Sequence, residues 1–163
     1  MAVNRDPILK RCRALDLSPA VLGYDKKSNR NPNGNKRKKE SEYASRLKEK
    51  QKLKFIYGVL EKQFRHLFEL AEKMEGQAGA NLITLLESRL DNVIFRLGFA
   101  RTRKEARQIV DHKHVLVNGK AVNIPSYLVK ASDTIEIKEK NKSSQRYKDV
   151  LDATAGRVVP EWL

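Results

Sequence analysis

Apolar residues in the middle of the chain recur at helical spacing and predict two amphipathic helices before residue 76. The first begins at Glu42 and ends or kinks at Gly58, because glycine is a poor residue for a helix interior. The second follows the i, i+3, i+4 pattern, and GQAGAN at 76–81 is typical of a loop. The two apolar stripes are Tyr43, Leu47, Leu53, Ile56 and Leu60, then Phe64, Leu67, Phe68, Ala71 and Met74. The aromatic side chains predicted to lie in the core are Phe55, Tyr57, Phe64 and Phe68.

Residues 82–98 have the clearest helical pattern and are predicted to form one helix. Their apolar stripe, which repeats at about 100° per residue, is Leu82, Leu86, Leu90, Val93 and Leu97. Arg89, Asn92 and Arg96 line one edge of this stripe. Gly98 supplies the C-terminal stop, because glycine adopts the left-handed conformation that ends many helices.

A shorter helix is predicted over residues 103–112. It opens with a capping box, in which Thr102 is followed three residues later by Glu105. Apolar residues Ala106, Ile109 and Val110 mark its buried side. The residues predicted on its cationic side are Arg103, Lys104, Arg107 and Gln108. A cationic face beside exposed N-terminal amides suits a phosphate backbone, although ordinary surface charge is an equally good explanation of this helix taken alone.

A β-hairpin is predicted immediately after this helix. In VLVNGKAVNI, apolar residues alternate around Asn118-Gly119, which is a strong signal for a two-residue hairpin turn. Residues 134–137 alternate again and predict a short strand. The polar and basic KEKNKSSQRYK follows, without a predicted element. The fold class is therefore α+β, with a small helical domain and a compact helix–helix–β-hairpin module.

The net charge of the chain indicates that its partner is a polyanion. The 163 residues carry a formal net charge of +14, of which +8 lies in residues 1–50, +1 in residues 51–86 and +5 in residues 87–163. From Asp25 to Glu42 no residue is apolar, so this run is predicted to be flexible when unbound. It contains the cluster Lys36, Arg37, Lys38 and Lys39. A basic N-terminal arm that orders against phosphates is favoured over a solvated linker, because adjacent cations repel one another.

Several classes of protein are disfavoured by the sequence. No apolar stretch approaches the roughly 20 residues that a transmembrane helix needs, and the N-terminus has no apolar core of a secretory signal. Cys12 is the only cysteine, so neither an internal disulfide nor a multi-cysteine zinc site is expected. We expect no cofactor, no metal, no membrane contact and a cytoplasmic location.

An RNA-modifying enzyme is one alternative. The chain has no G-x-G-x-x-G or P-loop pattern, and Glu87, Asp91 and Asp111 are scattered carboxylates and not a catalytic pair. His112-x-His114 could in principle hold a metal, but an RNA contact or a local hydrogen bond is favoured. A stress-related RNA- or DNA-binding factor is the other alternative, since phosphate contacts alone do not distinguish RNA from DNA.

A family resemblance favours RNA. Residues 85–127, LLESRLDNVIFRLGFARTRKEARQIVDHKHVLVNGKAVNIPSY, resemble the RNA-binding module named after small-subunit ribosomal protein S4. Residues 42–68, EYASRLKEKQKLKFIYGVLEKQFRHLF, are similar to the helical domain of that ribosomal protein. The motifs RLDN, FRLGFA-x-TR, ARQ-x-V and VNG-x-x-VNIPSY occur in the family's order and spacing. With the basic N-terminus, the resemblance covers nearly the whole chain.

The resemblance implies a non-enzymatic component of the small ribosomal subunit in its bacterial, zinc-free form. Such a protein binds small-subunit rRNA early in assembly, organises the body of the subunit, and contributes to decoding accuracy near the channel through which mRNA enters. Its partners would be rRNA, neighbouring ribosomal proteins and mRNA. Members often carry a zinc-binding cysteine cluster, which this sequence lacks. Members also usually continue past the equivalent of VVPEWL, so we expect either a truncated form or a missing helical packing segment.

Residue roles follow from the same resemblance. Asp91 and Asn92 are expected to fix local structure, while Gly98 and Gly119 supply backbone conformations. The RNA-binding residues predicted in the module are Arg89, Arg96, Arg101, Thr102, Arg103, Lys104, Arg107, Gln108, His112, His114, Asn118 and Lys120. Those predicted in the arm and first helix are Lys36, Arg37, Lys38, Lys39, Tyr43, Arg46, Lys50 and Lys52. The predicted divisions are a basic arm at 1–42, a helical domain at 43–86, the RNA-binding module at 87–150 and a C-terminal tail at 151–163.

Overall fold

The structure is a computed structural model that describes residues 6–26 and 41–163. The chain divides into two compact units, residues 1–65 and 66–163. Its α-helices are α1 (Ile8–Leu15), α2 (Glu42–Tyr57), α3 (Glu61–Lys73), α4 (Ala78–Glu87), α5 (Leu90–Arg96), α6 (Arg103–Asp111), α7 (Glu139–Lys142) and α8 (Gln145–Thr154). Its strands are β1 (Val115–Val117), β2 (Lys120–Val122) and β3 (Ile135–Ile137). The mixture of helices and one small sheet confirms the predicted α+β class.

The first unit is built around α1 and α2, which lie against each other. The helix α2 begins where the Ser41 hydroxyl accepts a hydrogen bond from Ala44 N at 3.2 Å, and it ends at Gly58 with a φ of 64°. This confirms the predicted stop at Gly58. The helix α1 was not predicted, although Ile8, Cys12 and Leu15 have helical spacing and the last two are buried. Most of the charged run from Asp25 to Glu42 lies outside the described residues.

The predicted single helix over residues 82–98 is wrong. The structure has two helices, α4 and α5, separated at Ser88 and Arg89. The segment at 125–129 causes the break, because it takes over backbone hydrogen bonds that a continuous helix would need: Leu90 N donates to Tyr127 O at 2.8 Å, and Val129 N donates to Ser88 O at 2.8 Å. The predicted loop at 76–81 is also shorter than expected, since α4 already begins at Ala78.

The aromatic residues predicted in the core do not all lie there. Tyr57 and Phe64 are buried, as predicted, whereas Phe55 is half-buried and Phe68 is exposed.

Asn81 explains how α3 ends, because its side-chain amide lies within hydrogen-bonding distance of the carbonyls of Ala71, Met74 and Glu75. None of the helices in the described residues has both the length and the apolar composition needed to cross a bilayer.

The sheet confirms the predicted hairpin. Its order is β2–β1–β3 with antiparallel pairing throughout, and Val115 pairs with Val122 on one side and with Ile137 on the other. Asn118 and Gly119 form the turn with φ values of 50° and 75°, which is the left-handed conformation that this dipeptide tolerates well. The core cluster of this unit is Leu90, Ile94, Phe95, Ala100, Ala106, Ile109, Val110, Val115, Val117, Ile137 and Tyr147.

The segment after β3 is helical, although no helix was predicted there. The helix α8 buries Tyr147, Val150 and Thr154 at i, i+3 and i+7. The Thr154 hydroxyl donates to the carbonyl of Gly98 at 2.7 Å. Gly98 has a φ of 81°, as a C-terminal helix stop requires. The helix α8 is therefore part of the same packed unit as α5 and α6.

Candidate nucleic-acid interface

The N-terminus of α6 is held by the predicted capping box, with one difference. The Thr102 hydroxyl accepts a hydrogen bond from Glu105 N at 3.2 Å. The Glu105 carboxylate reaches back to Arg101 N at 2.8 Å, one residue earlier than the usual reciprocal bond to the N-cap. The cap therefore fixes the backbone of Arg101 as well as the first turn of α6.

Three predicted site residues share the solvent face of α6. Lys104, Gln108 and His112 follow at i, i+4 and i+8, and all three are exposed. We call them the α6 face. Ala106, Ile109 and Val110 are buried on the other side, so this part of the prediction is confirmed.

The predicted position of Arg103 on the exposed cationic side of α6 is wrong, because its guanidinium group does not point to solvent. The residue is 9% exposed, its Nε donates to Asn92 Oδ1 at 2.8 Å, and its guanidinium carbon lies 4.3 Å from the centre of the Phe95 ring. The sequence contained a signal for this, since residues 103, 106 and 110 have the spacing of one helix face and the last two are apolar. The guanidinium group of Arg103 therefore connects α6 to α5 through Asn92 and Phe95.

Arg89, which was also predicted to bind RNA, is buried as well. Its guanidinium group is 3% exposed and binds Asp91 through two contacts, Nη2 to Oδ2 at 2.7 Å and Nε to Oδ1 at 3.1 Å. A buried arginine with its own carboxylate partner cannot offer that group to RNA in this conformation. The expectation that Asp91 has a structural role is confirmed.

Arg96 is partly buried and also has an internal partner. Its Nε donates to the Glu87 carboxylate at 3.0 Å. Asn92 is buried and donates from its side-chain amide to the carbonyl of Glu87 at 3.0 Å. Asn92 therefore bridges Glu87 and Arg103, which confirms its predicted structural role. The polar side chains along this edge of α5 are therefore held by hydrogen bonds within the protein.

The hairpin presents Lys120 to solvent, whereas the Asn118 side chain is used internally. Asn118 Nδ2 donates to the Asp133 carboxylate at 2.8 Å, and Asn118 Oδ1 accepts from Thr134 N at 2.9 Å. These bonds tie the turn to the segment before β3. The hydrogen bond from Lys130 N lowers the pKa of Asp133 most, and the hydrogen bond from the Asn118 side chain lowers it further.

The two histidines of this region lie side by side. The ring centres of His112 and His114 are 6.0 Å apart, and His114 lies 6.3 Å from the ring of Tyr147. His112 is exposed and His114 is half-buried, while burial raises the pKa of the Tyr147 phenol. Among residues 6–26 and 41–163, no three His, Cys, Asp or Glu side chains are grouped so that they could hold a metal ion.

The predicted cations of α2 belong to the first unit and form exposed ion pairs. Lys50 binds Glu61 at 2.7 Å, Lys54 binds the same carboxylate, and Lys52 binds Glu49 at 2.7 Å. Hydrogen bonds from Lys50 and Lys54 lower the pKa of Glu61 to about 2. Arg46 pairs with Glu42, and Tyr43 is exposed. The predicted cluster Lys36, Arg37, Lys38 and Lys39 lies outside the described residues.

Arg157 has a structural role that was not predicted from the sequence. Its Nη1 donates to the carbonyls of Phe95 at 2.7 Å and Ala100 at 3.0 Å, and its Nη2 donates to the carbonyl of Arg101 at 3.1 Å. Burial and the charge of Arg96 lower the pKa of Arg157. No local motif marks this role, although Tyr147, Val150 and Thr154 could have revealed α8 by their helical spacing.

Two family models match the chain in tandem. One is described as "Ribosomal protein S4/S9 N-terminal domain" and matches residues 4–87, and the other is described as "S4 domain" and matches residues 88–135. The boundary between them falls at the break between α4 and α5. Residues 136–163, which include α7, α8 and Arg157, lie beyond both matches.

Curated relatives are similar over the full length of the chain. The "Small ribosomal subunit protein uS4" of Lachnospira eligens is 68% identical over 163 residues, which is 100% of this chain and 82% of the relative. The protein of the same name from Agathobacter rectalis is also 68% identical over 163 residues, with the same coverage. That from Fusobacterium nucleatum is 52% identical over 164 residues, again covering 100% of this chain and 82% of the relative.

Proposed function

Since this chain belongs to the bacterial ribosomal protein S4 family, we propose that it is a structural component of the small ribosomal subunit and binds small-subunit rRNA directly. It acts as a primary assembly protein that organises the body of the subunit, and it contributes to decoding accuracy near the channel through which mRNA enters. Its partners are rRNA, neighbouring small-subunit proteins and mRNA, in the cytoplasm. It is not an enzyme.

The observation that carries this proposal is the tandem of two family matches over residues 4–135, together with 68% identity along the whole chain to a small-subunit protein. An isolated RNA-binding module could belong to several kinds of protein. The ribosomal N-terminal domain that precedes it favours the ribosome over an RNA-modifying enzyme or a stress-related factor. The boundary between the two matches, at residues 87 and 88, supports the division between the proposed helical domain at 43–86 and the proposed module at 87–150. The other proposed parts are the arm at 1–42 and the tail at 151–163.

The α6 face is the proposed centre of RNA binding within the module. Lys104 and His112 supply cationic or hydrogen-bonding groups, Gln108 supplies an amide, and Arg101 and Lys120 are exposed on either side of α6 in the sequence. RNA helices hide their major groove, so such a surface reads the shape and the backbone of folded RNA. Other proposed contacts are Arg96, Thr102, Arg107, His114, Asn118, Tyr43, Arg46, Lys50, Lys52 and the cluster Lys36, Arg37, Lys38 and Lys39.

Paired ion contacts on α2 are compatible with a role in binding. Lys50 and Arg46 are held by exposed carboxylates, and such surface pairs contribute about 0–1 kcal/mol. A phosphate can therefore replace the carboxylate at small cost. The corresponding exchange at a buried pair such as Arg89–Asp91 would require opening the core.

The proposal is tested by comparing affinity for structured small-subunit rRNA with affinity for duplex DNA of equal length at several salt concentrations. We expect rRNA to bind tighter by about tenfold or more, and equal affinity would refute the proposal. The double variant Lys104→Ala, Gln108→Ala should bind rRNA about tenfold more weakly and reduce the slope of log K against log salt by about one. Lys73→Ala, an exposed lysine of α3 outside the proposed surface, is the matched control and should leave both quantities unchanged.

A further inference from the structure

Arg157 lies 22 residues beyond the end of the S4-domain match at residue 135, yet its hydrogen bonds return to the start of that module. It contacts the carbonyls of Phe95, Ala100 and Arg101 at 2.7, 3.0 and 3.1 Å. Its guanidinium carbon also lies 4.3 Å from the centre of the Phe95 ring. These contacts fix the backbone between α5 and α6, which otherwise forms no regular structure.

Arg101 stands in that backbone segment and is held at three places. Arg157 binds its carbonyl, the Glu105 carboxylate accepts from its N–H at 2.8 Å, and its own Nη2 donates to the carbonyl of Asp149 at 3.2 Å. Asp149 belongs to α8, and Glu105 also pairs with Arg146 of α8 at 3.3 Å. The helix α8 and Arg157 thus determine both the backbone and the side-chain direction of an exposed arginine.

A guanidinium group has five N–H donors in a planar fork. The contact with Asp149 uses Nη2 of Arg101 and sets the direction of the fork, while the residue as a whole stays exposed. An arginine held in this way loses little conformational freedom when it binds a phosphate, and this preorganisation increases affinity. The charge of Arg157 itself is directed at three carbonyls and an aromatic ring.

We propose that Arg157 is a positioning residue for RNA binding: through the Arg101 carbonyl and the docking of α8 it directs the Arg101 guanidinium toward an RNA phosphate. The inference rests on the proposed function and extends it, because it makes residues 145–157 a required part of the RNA-binding module. The S4-domain match alone, residues 88–135, would then be an incomplete module.

A double-mutant cycle on the full chain tests the proposal. Affinity for structured small-subunit rRNA and its salt dependence are measured for wild type, Arg101→Ala, Arg157→Ala and the double variant. We expect Arg101→Ala to weaken binding about tenfold and to lower the salt slope by about one. Arg157→Ala should reproduce most of this loss, and the double variant should be no weaker than Arg101→Ala.

Arg157→Lys separates positioning from charge. Lysine keeps the positive charge but cannot bind three carbonyls with a planar fork, so this variant should lose affinity as Arg157→Ala does. Ile137→Val, a core substitution in β3, controls for stability: it should lower the melting temperature without changing affinity or salt slope. Circular dichroism at the assay temperature verifies that each variant is folded, and Arg157→Lys carries the test if Arg157→Ala unfolds.

Four results would overturn the proposal: unchanged affinity of Arg101→Ala, unchanged affinity of a folded Arg157→Ala, additive losses in the double variant, or wild-type behaviour of Arg157→Lys. Each of these leaves the preference of the wild-type protein for rRNA over duplex DNA intact. Loss of that preference in the wild-type protein would instead refute the proposed function. The two failures are therefore distinguishable in the same titrations.

Discussion

The basic side chains of α2 and those around α5 carry the same charge in different surroundings. On α2, Lys50 pairs with Glu61, and the two side chains are 41% and 56% exposed. At the start of α5, Arg89 pairs with Asp91, and these side chains are 3% and 7% exposed. Both contacts measure 2.7 Å. Distance alone therefore does not distinguish a cation that stabilises the fold from one that is available to a ligand.

Burial makes the difference. Water and salt screen an exposed pair, which contributes about 0–1 kcal/mol, whereas removing one partner of a buried pair costs about 3–5 kcal/mol. Part of the positive charge that suggests a polyanionic partner is consequently used inside the protein. The candidates for RNA binding are the cations that are exposed or only weakly paired.

The largest expected effect is that of Arg89→Ala. The variant leaves the Asp91 carboxylate buried without its partner, and we expect a loss of about 3–5 kcal/mol in the free energy of unfolding. Denaturant titration measures this loss. The double variant Arg89→Met, Asp91→Leu removes both charges and should recover much of the stability. A loss below about 1 kcal/mol in Arg89→Ala would mean that this buried pair contributes no more than an exposed one, and it would contradict the burial argument.

Arg103→Ala should have the next largest effect. It removes the hydrogen bond to Asn92 and the contact with the Phe95 ring, at a cost of about 2–3 kcal/mol. The neighbouring Lys104→Ala is the control and should change stability by less than about 0.5 kcal/mol, since Lys104 is exposed. Thermal unfolding of both variants decides the matter, and equal losses would contradict the burial argument.

Asn118 sharpens the comparison, because it is an exposed residue with structural hydrogen bonds. Asn118→Ala loses the hydrogen bonds to Asp133 and Thr134. It also places alanine at a φ of 50°, a left-handed conformation that alanine adopts less readily than asparagine. We expect a loss of about 1–2 kcal/mol in unfolding free energy. Asn118→Gly tolerates the positive φ and should lose less. If the two variants are equally stable, the backbone conformation contributes nothing.

The smallest effect is expected at Glu61, whose pKa is lowered to about 2 from an ordinary value of 4.5. A carboxylate with a depressed pKa adds stability above pH 4.5 and loses this contribution as the pH falls toward 2. Because the carboxylate is 56% exposed, the contribution should stay below about 1 kcal/mol. Melting temperatures of wild type and Glu61→Gln should therefore differ slightly at pH 7 and converge near pH 2. A difference that persists at pH 2 would exclude the ion pairs as its source.

Local signals made part of this structure predictable. The capping box at Thr102, the Asn118-Gly119 turn and the stop at Gly58 each involve a few neighbouring residues, and all three are present. The break at Ser88 was not predictable, because it depends on hydrogen bonds with residues some 40 positions later. The helix α8 was not predicted because its composition is polar, although its buried Tyr147, Val150 and Thr154 have helical spacing.

The candidate site shows the same division. Helical spacing correctly placed Lys104 and Gln108 on the solvent face of α6. It could not identify the partner of Arg103, since Asn92 reaches that guanidinium group through the packing of α5 against α6. It also missed the pair of Arg89 and Asp91, although these residues are only two positions apart. Arg157 is the extreme case, because its side-chain hydrogen bonds to Phe95, Ala100 and Arg101 reach residues more than 50 positions earlier.

The return of Arg157 to the end of α5 also affects how the protein folds during its own synthesis. Phe95 leaves the ribosome 62 residues ahead of Arg157, which corresponds to about 3–12 s at typical elongation rates. Throughout this interval the carbonyls of Phe95, Ala100 and Arg101 lack the guanidinium group that will bind them. For most of it Tyr147 is also missing from the core. The second unit therefore reaches its complete set of contacts only after Arg157 has been synthesised, although most of its helices depend on local sequence.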